Sequence, residues 1–155
     1  MLAPGVMGGL VPWLLTGWEP NDELAVWPLQ VLGLVLTVAG VGVLLHAFAR
    51  FVVEGIGTPA PVAPTERLVV GGLYRYVRNP MYLAVATVIL GQALLLGRPV
   101  LVAYAAAFMA VVAAFVRLYE EPTLVREFGA EYSAYRAGVP AWRPRLHPWE
   151  PDRTK

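Results

Sequence analysis

Two short segments of this sequence gather side chains that can bind a charged ligand. The first ends in Arg78-Asn-Pro-Met-Tyr82 and follows the glycine pair Gly71-Gly72, which permits a tight turn or the close approach of a ligand. Pro80 suits the first turn of a helix. A helix N-terminus presents free N–H groups and the positive end of the helix dipole, so it attracts anions. The pattern predicts either an anion-binding helix start or, more simply, arginines that set membrane topology beside interfacial tyrosines.

The second segment is Tyr119-Glu-Glu-Pro122. Glu120 and Glu121 follow an apolar run directly, so at least one carboxylate is expected near the hydrocarbon boundary, where an unpaired charge is costly. Arg117 can reach Glu121 at the i,i+4 spacing of a helix or Glu120 at i,i+3. Two interpretations remain open: an acidic pair that binds a ligand, or an ion pair that closes the span before Pro122 opens the next helix.

Four apolar runs must position these segments. Hydrophobic residues make up 57% of the 155-residue chain and charged residues 15%, against about 45–50% and about 25% in soluble domains. The runs cover residues 1–18, 24–49, 81–96 and 100–118, and about 20 residues span the hydrocarbon core. The first run has no basic residue ahead of it and no cleavage site, which favours a retained, irregular helix over a signal peptide. The sequence predicts one all-α integral membrane domain, 1–155, with four transmembrane helices.

The connections are predicted from their turn residues. Residues 51–64 hold two glycines and three prolines and are expected to form a loop that Arg50 opens. Gly97-Arg-Pro99 closes a helical hairpin. Residues 122–137 are predicted to form an amphipathic helix at the membrane interface, because apolar and aromatic side chains recur there at spacings of four, four and three, and the proline-rich residues 138–155 form an irregular tail. The recurring residues are Leu124, Phe128, Tyr132 and Tyr135.

The distribution of basic residues predicts the topology. Eleven of the 12 lysines and arginines lie in the middle loop, at Arg117 or in the C-terminal part, and Arg98 alone lies with Glu19, Asp22 and Glu23. By the positive-inside rule the protein is multi-pass, with both termini and both chemical segments on the cytoplasmic side.

The ordered set Gly72-Leu-Tyr74, Arg78-Asn-Pro-Met-Tyr82, Glu120-Glu121 and Phe128 to Tyr135 resembles the isoprenylcysteine carboxyl methyltransferase and phospholipid methyltransferase superfamily over about residues 66–144. The resemblance implies a cytoplasmic-side S-adenosylmethionine pocket and a lipid-like or hydrophobic acceptor, most simply the carboxylate of a prenylcysteine-like molecule. One departure is that Asn79 stands where the family usually has histidine, and an amide cannot titrate. The implied cofactor-binding residues are Glu66, Arg67, Leu68, Val69, Tyr74, Arg78, Asn79, Pro80, Met81, Tyr82 and Glu120.

The acceptor side is implied less specifically. Arg117 lies near the family's substrate-side arginine and is assigned to an anionic acceptor. Glu121 and Tyr82 are the candidate bases for an acceptor that must lose a proton. Gln92 is expected to join helices, and His46, which lies within the second span, is expected to form a hydrogen bond to a neighbouring helix. The absence of cysteine and the two isolated histidines argue against a metal site, and no feature indicates nucleic-acid binding. The rival hypotheses are a non-enzymatic four-helix scaffold and an NADPH-dependent membrane reductase.

Overall fold

A computed structural model describes residues 2–55 and 68–150, and these residues form helices joined by irregular segments. Besides α-helices, the described residues form two π-helical turns, Val6–Leu10 and Val116–Glu120, and a 3-10 turn, Gly72–Arg75. The predicted all-α fold is confirmed, whereas the expected loop at 56–64 and the site residues Glu66 and Arg67 lie outside the described residues. The α-helices are α1 (Leu2–Gly5), α2 (Val11–Thr16), α3 (Trp27–Gly55), α4 (Pro80–Leu96), α5 (Pro99–Phe115) and α6 (Glu121–Gly138).

Two helical stretches in the described chain are long and apolar enough to cross a membrane, Trp27–Arg50 and the apolar part of Pro99–Gly138. Ala3–Thr16 and Pro80–Leu96 are shorter apolar helices. Apolar side chains on α3 point away from the protein, as Val38 shows with 64% of its surface exposed. A helix that is hydrophobic on its outer face is typical of contact with lipid rather than water.

The second predicted span differs from α3 at both ends. The N–H groups of Leu24 and Ala25 bond to the Asn21 carbonyl at 3.1 and 2.8 Å, which forms a turn before the helix. The expectation that Arg50 ends the helix is wrong, because α3 continues to Gly55. An arginine interrupts an apolar run but leaves the backbone hydrogen bonds intact, whereas glycine weakens a helix.

Both π-helical turns lie just ahead of a proline. Pro12 and Pro122 have no N–H, and a proline ring clashes with the carbonyl four residues earlier in an α-helix. At these positions Val11 N–H bonds to Val6 O and Glu121 N–H bonds to Val116 O, each five residues back. The wider turn accommodates the proline. The second π-helical turn also ends α5 at Phe115 rather than at the predicted Leu118. It changes the direction in which the following side chains point around the helix axis.

The backbone contacts divide the chain into two compact units. The first comprises Met1–Leu44 and Tyr82–Ala113. Its apolar core includes Ile89 and Leu101, each 0% exposed. Helices α3 and α4 pack there through glycine, since a Cβ at Gly33 would lie 2.5 Å from the backbone nitrogen of Leu95.

Gln92 joins helices of the first unit, as expected from the sequence. Its Nε2 donates to Gly8 O at 2.6 Å, and its Oε1 accepts from Trp18 Nε1 at 3.2 Å. Gly8 stands four residues before Pro12, so its carbonyl is one that the proline cannot bond. The glutamine replaces that missing hydrogen bond.

The second unit comprises Leu45–Met81 and Ala114–Lys155. Within it α6 changes direction at Gly129, whose φ of 51° and ψ of −118° lie outside the helical region. Glycine adopts this conformation without a Cβ clash. The predicted aromatic stripe therefore lies on two helical segments rather than one straight helix. Its residues still pack together, around Tyr132, Tyr135 and Val139, which are 3%, 3% and 1% exposed.

Candidate functional site

The two segments selected from the sequence meet through a buried ion pair in the second unit. Arg78 Nη1 donates to Glu121 Oε1 at 2.7 Å and to the Tyr132 hydroxyl at 3.0 Å. The side chains of Arg78 and Glu121 are only 12% and 10% exposed. A buried charge of this kind needs a partner, because desolvation disfavours an isolated ion. The pair thus connects the residue before Asn79-Pro80 to the first residue of α6.

Glu121 binds a second guanidinium. Arg136 Nη2 lies 3.1 Å from Glu121 Oε2, and the Arg136 side chain is 51% exposed. The expected pairing of Glu121 with Arg117 is therefore wrong within the described residues, where the ion pairs of Glu121 are with Arg78 and Arg136. Arg117 belongs to the π-helical turn, and its wider spacing removes the ordinary i,i+4 alignment with Glu121. Oε1 accepts a charged hydrogen bond from Arg78 and Oε2 forms an ion pair with Arg136, which opposes the expected role of Glu121 as a base.

Tyr132 lies against this pair and is expected to stay protonated. Burial raises the pKa of its hydroxyl, while the neighbouring Arg78 lowers it in part and Glu121 raises it. Burial also raises the pKa of Tyr135, whose hydroxyl donates to Tyr74 O at 2.7 Å. Because the neutral forms persist, both tyrosines serve as hydrogen-bonding groups rather than as bases.

Arg78 retains one donor that the described residues do not satisfy. Its Nε is buried, and no acceptor among the described residues reaches it. The next residues begin α4 at Pro80, so the first-turn N–H groups of that helix are close in sequence. A guanidinium N–H and a helix N-terminus both favour an anion.

An irregular C-terminal segment, residues 139–150, lies along the Arg75–Asn79 segment, and we call it the strap. Arg78 N–H donates to Pro140 O at 3.0 Å and Asn79 Nδ2 donates to Ala141 O at 3.2 Å. Farther along, Arg145 N–H bonds to Tyr76 O and Trp149 N–H bonds to Arg75 O, each at 2.9 Å. Over their whole length the two segments run in opposite directions, since Arg75 contacts Trp149 whereas Arg78 contacts Pro140.

The strap is also anchored by side chains at its far end. Arg75 Nε donates to Trp149 O at 2.8 Å, and Arg75 Nη2 pairs with Glu150 Oε1 at 3.0 Å near the surface. The Trp149 ring meets the Tyr135 ring edge-on, with centroids 5.4 Å apart. Hydrogen bonds and an aromatic contact therefore attach the strap to both the Arg75–Asn79 segment and α6.

Several residues assigned to the cofactor lie in the apolar packing. Val69 and Tyr74 are 6% and 7% exposed and pack with Ala47, and the partly buried Met81 packs against them. Leu68 packs instead against the Tyr132 cluster. Pro80 and Asn79 are also buried, whereas Tyr82 belongs to the first unit. A ligand would therefore meet this segment chiefly through Arg78 and main-chain groups.

Gly72 explains how the 3-10 turn approaches α3. Its φ is +57°, a value that favours glycine, and a Cβ there would lie 3.2 Å from Arg50 Nε and 3.2 Å from His46 Nε2. His46 and Arg50 are four residues apart and so share one face of the helix. The glycine pair predicted to permit a close approach thus brings the backbone against two basic side chains.

An open cleft of about 580 Å³ lies beside Glu121 and has a basic lining. Arg117, Arg126 and Arg136 contribute three positive charges to it, and Glu121 contributes one negative charge. Pro122 and Val125 supply its apolar wall. The composition suits a molecule that has an anionic group and an apolar part. Arg117, which the resemblance assigns to an anionic acceptor, lines this cleft, whereas Glu120 lies at the end of the π-helical turn.

Tyr132, Arg136, Arg126 and the strap were not identified as site residues from the sequence. Arg136 follows Tyr132 by four residues, which places both on one side of a helical segment and was a usable signal. Ala141 contributes only a carbonyl, so its side chain carries no signal. The strap contacts depend on main-chain groups that every residue has, and only the tertiary fold selects them.

Comparison with known proteins identifies the family of this chain. Neither curated proteins nor solved structures gave a match. The family model described as Phospholipid methyltransferase matches residues 29–131, about two thirds of the chain. This range contains the Arg78–Glu121 pair and Arg117. Together with the apolar helices, the match indicates a membrane-associated methyltransferase with a lipid-like substrate. The chain belongs to the phospholipid methyltransferase family.

Proposed function

We propose that this protein transfers a methyl group from S-adenosylmethionine to a lipid-like acceptor that carries an anionic group. The observation that carries the proposal is the buried Nε of Arg78, which has no acceptor among the described residues although it lies in a charged site. The amino-acid part of S-adenosylmethionine ends in a carboxylate. Such a group completes the hydrogen bonding of a buried guanidinium and removes the penalty of an unmet donor.

The residues present fit this cofactor. Arg78 and the first turn of α4 would hold the carboxylate, and Glu120 would hold the cofactor's ammonium or ribose hydroxyls. Glu66 and Arg67 remain assigned to the cofactor by resemblance. Asn79, Val69 and Tyr74 are buried and would support the binding segment from behind.

When bound, the cofactor supplies a methyl group on a positively charged sulfur, which leaves with its bonding electron pair as the acceptor forms the new bond. The chain's residues contribute position and charge rather than acid–base chemistry. Arg78 and Glu121 fix the joint between the 78–82 segment and α6, and the neutral Tyr132 accepts a hydrogen bond from Arg78. Holding two reactants in line can supply most of a rate enhancement.

The basic cleft is proposed to hold the acceptor. Arg117 and Arg126 can bind a carboxylate or a phosphate, while Val125 contacts the apolar part. A prenylcysteine-like carboxylate needs no base, because it is already deprotonated. A phospholipid amine must release one proton, and with Glu121 held by two arginines that proton would pass to water. Both acceptors share the anionic group that the cleft recognises.

Calorimetry with S-adenosylhomocysteine on detergent-purified protein tests cofactor binding. We expect Glu120→Ala to abolish binding and Arg78→Lys to weaken it about tenfold or more, because lysine keeps the charge opposite Glu121 but removes the Nε donor. Arg143→Ala is the matched control, since Arg143 is exposed on the strap. Wild-type affinity in both site variants would overturn the assignment, and protection by NADPH alone in a thermal-shift assay would favour a reductase.

A methyl-transfer assay with labelled cofactor tests the acceptor. One arm presents a prenylcysteine-like acid and the other phosphatidylethanolamine in mixed micelles. We expect Arg117→Gln to raise KM for the accepted lipid while leaving S-adenosylhomocysteine affinity unchanged. If the variant methylates both lipids at wild-type efficiency, the cleft is not the acceptor site.

We further propose four membrane spans with both termini and the site on the cytoplasmic side, as the positive-inside rule indicates. The chain has no cysteine, so a single introduced thiol reports its side of the membrane cleanly. An impermeant thiol reagent added to intact cells should label Asp22→Cys and spare His147→Cys, both of which are exposed positions. The opposite pattern would reverse the topology.

A further inference from the structure

We propose that Asn79 is a positioning residue that acts through the strap, setting the backbone of Arg78 for cofactor binding without touching the cofactor through its amide. This inference rests on the proposed function and adds to it a residue that acts indirectly. It starts from the side-chain hydrogen bond of Asn79, whose Nδ2 donates to Ala141 O at 3.2 Å. Asn79 is only 6% exposed. One of the two N–H donors of this amide is thus committed to the strap.

The Asn79 bond forms one of two adjacent ties. The other is the backbone bond from Arg78 N–H to Pro140 O at 3.0 Å. Together they attach consecutive residues of the 78–82 segment to consecutive residues of the strap. Two ties in sequence restrict rotation of the backbone at Arg78, which a single bond would leave freer. Because Glu121 and Tyr132 hold the far end of the Arg78 side chain, fixing the backbone as well leaves the buried Nε between two fixed points.

The strap can act as one rigid support because its far end is held independently. Trp149 bonds to Arg75 through both its N–H and its carbonyl, and its ring packs against Tyr135. Tyr135 in turn donates to Tyr74 O. A substitution that loosens either end of the strap should therefore alter the backbone position of Arg78. A substitution at the nearer end, Asn79, should alter it more.

Aspartate and histidine substitutions at position 79 test this role. Asparagine and histidine both carry an N–H that can donate to a carbonyl, whereas aspartate has the size of asparagine but donates nothing when ionised. Asn79→Asp places a carboxylate against the Ala141 carbonyl, and Asn79→His restores a donor. The pair separates the loss of the donor from a general disturbance of packing.

Calorimetry with S-adenosylhomocysteine is the test, with detergent-purified full-length protein. We expect Asn79→Asp to weaken binding about tenfold, the effect of one lost buried hydrogen bond and its unmet carbonyl, and Asn79→His to recover to within about threefold of wild type. Arg75→Met should weaken binding less, and its effect should not add to that of Asn79→Asp. His147→Ala, an exposed strap position, is the control and should bind normally.

Amide hydrogen exchange gives a readout that does not need the cofactor. The Arg78 amide should exchange faster in Asn79→Asp than in wild type and return toward the wild-type rate in Asn79→His. Unchanged exchange and affinity in Asn79→Asp, or an Asn79→His protein as weak as Asn79→Asp, would overturn the inference. If the two variants show the predicted exchange rates but the wild-type protein binds no S-adenosylhomocysteine, the proposed function is overturned and the structural role of the strap stands.

Discussion

Replacing Glu121 by glutamine separates a structural role from a catalytic one. The carboxylate lies between two guanidiniums, 2.7 Å from Arg78 Nη1 and 3.1 Å from Arg136 Nη2. Glutamine is nearly isosteric and keeps one carbonyl oxygen as an acceptor, but it removes the charge and places an amide donor opposite one of the arginines. The substitution therefore leaves a buried guanidinium without its counter-ion while changing the packing little.

The magnitude follows from the burial of each partner. Arg78 is 12% exposed, so breaking this pair belongs with buried ion pairs, whose loss costs about 3–5 kcal/mol. Arg136 is 51% exposed, and its share is that of a surface pair, about 0–1 kcal/mol. Since the remaining carbonyl of glutamine still accepts one hydrogen bond, we expect Glu121→Gln to lower the free energy of unfolding by about 2–4 kcal/mol.

Arg136→Met is the matched control, because it removes only the exposed partner and should cost no more than about 1 kcal/mol. Equilibrium unfolding in mixed detergent micelles, followed by circular dichroism, measures both values. A double-mutant cycle between Glu121→Gln and Arg78→Met should show strong coupling, since each variant removes the same buried pair.

Methyl-transfer kinetics on the same variant complete the experiment. If Glu121 is structural, kcat of Glu121→Gln at saturating substrates should stay close to the wild-type kcat at each pH at which the variant is folded. The pH–rate profile should then keep its wild-type shape. The reasoning is refuted if Glu121→Gln is as stable as wild type, or if it is folded and loses the acid limb of the pH–rate profile, which would identify the carboxylate as a general base.

Three further predictions concern stability. Burial raises the pKa of the Tyr132 hydroxyl above its ordinary 10.0. The contribution of this hydroxyl to the free energy of unfolding is therefore fully present below the ordinary pKa and is lost as the pH rises through the higher pKa of the folded protein. Phenolate absorbance and unfolding curves should show this loss, and Tyr132→Phe should remove it. Gly33→Ala should destabilise by several kcal/mol because its Cβ would meet the Leu95 backbone, whereas Gly42→Ala, with open space around it, should stabilise the helix by about 0.5–1 kcal/mol; similar melting temperatures would contradict the close packing of α3 and α4. Gln92→Leu should cost about 1–3 kcal/mol by leaving the Gly8 carbonyl unbonded, and an equally stable variant would show that this bond contributes nothing.

The helices were largely predictable because they depend on local composition. The third apolar run, predicted at 81–96, is α4 at Pro80–Leu96, which ends at the predicted glycine turn. The amphipathic helix predicted at 122–137 is α6 at Glu121–Gly138. Errors came where a local feature was given too much weight. Arg50 looked like a helix end because it interrupts an apolar run, yet backbone hydrogen bonding tolerates an arginine.

The two π-helical turns show a different limit of sequence reasoning. A proline after an apolar run indicates a helix start, and both Pro12 and Pro122 do occupy the first turn of a helix. Whether the preceding helix stops or continues through a wider turn depends on packing around the freed carbonyl. Gln92, 84 residues from Gly8, satisfies that carbonyl in the first unit. Local propensity carries no information about such a partner.

The candidate site, like the fold, was predictable from the sequence only in part. The sequence by itself determined which residue types were present: Arg78 beside a helix start, an acidic pair after an apolar run, and Arg117 nearby. Family resemblance suggested methyl transfer, and the family match supports methyltransferase activity for the chain. These properties were accessible because composition, spacing and helix starts are written in neighbouring residues.

Only the tertiary structure decided which of these groups meet. It paired Glu121 with Arg78 and Arg136 instead of Arg117, because the π-helical turn rotates the chain between Arg117 and Glu121. It also committed the amide of Asn79 to the Ala141 carbonyl, 62 residues away. Contacts at such separations depend on how segments pack and on which main-chain groups packing leaves unbonded, and the order of residues along the chain specifies them only through the complete fold.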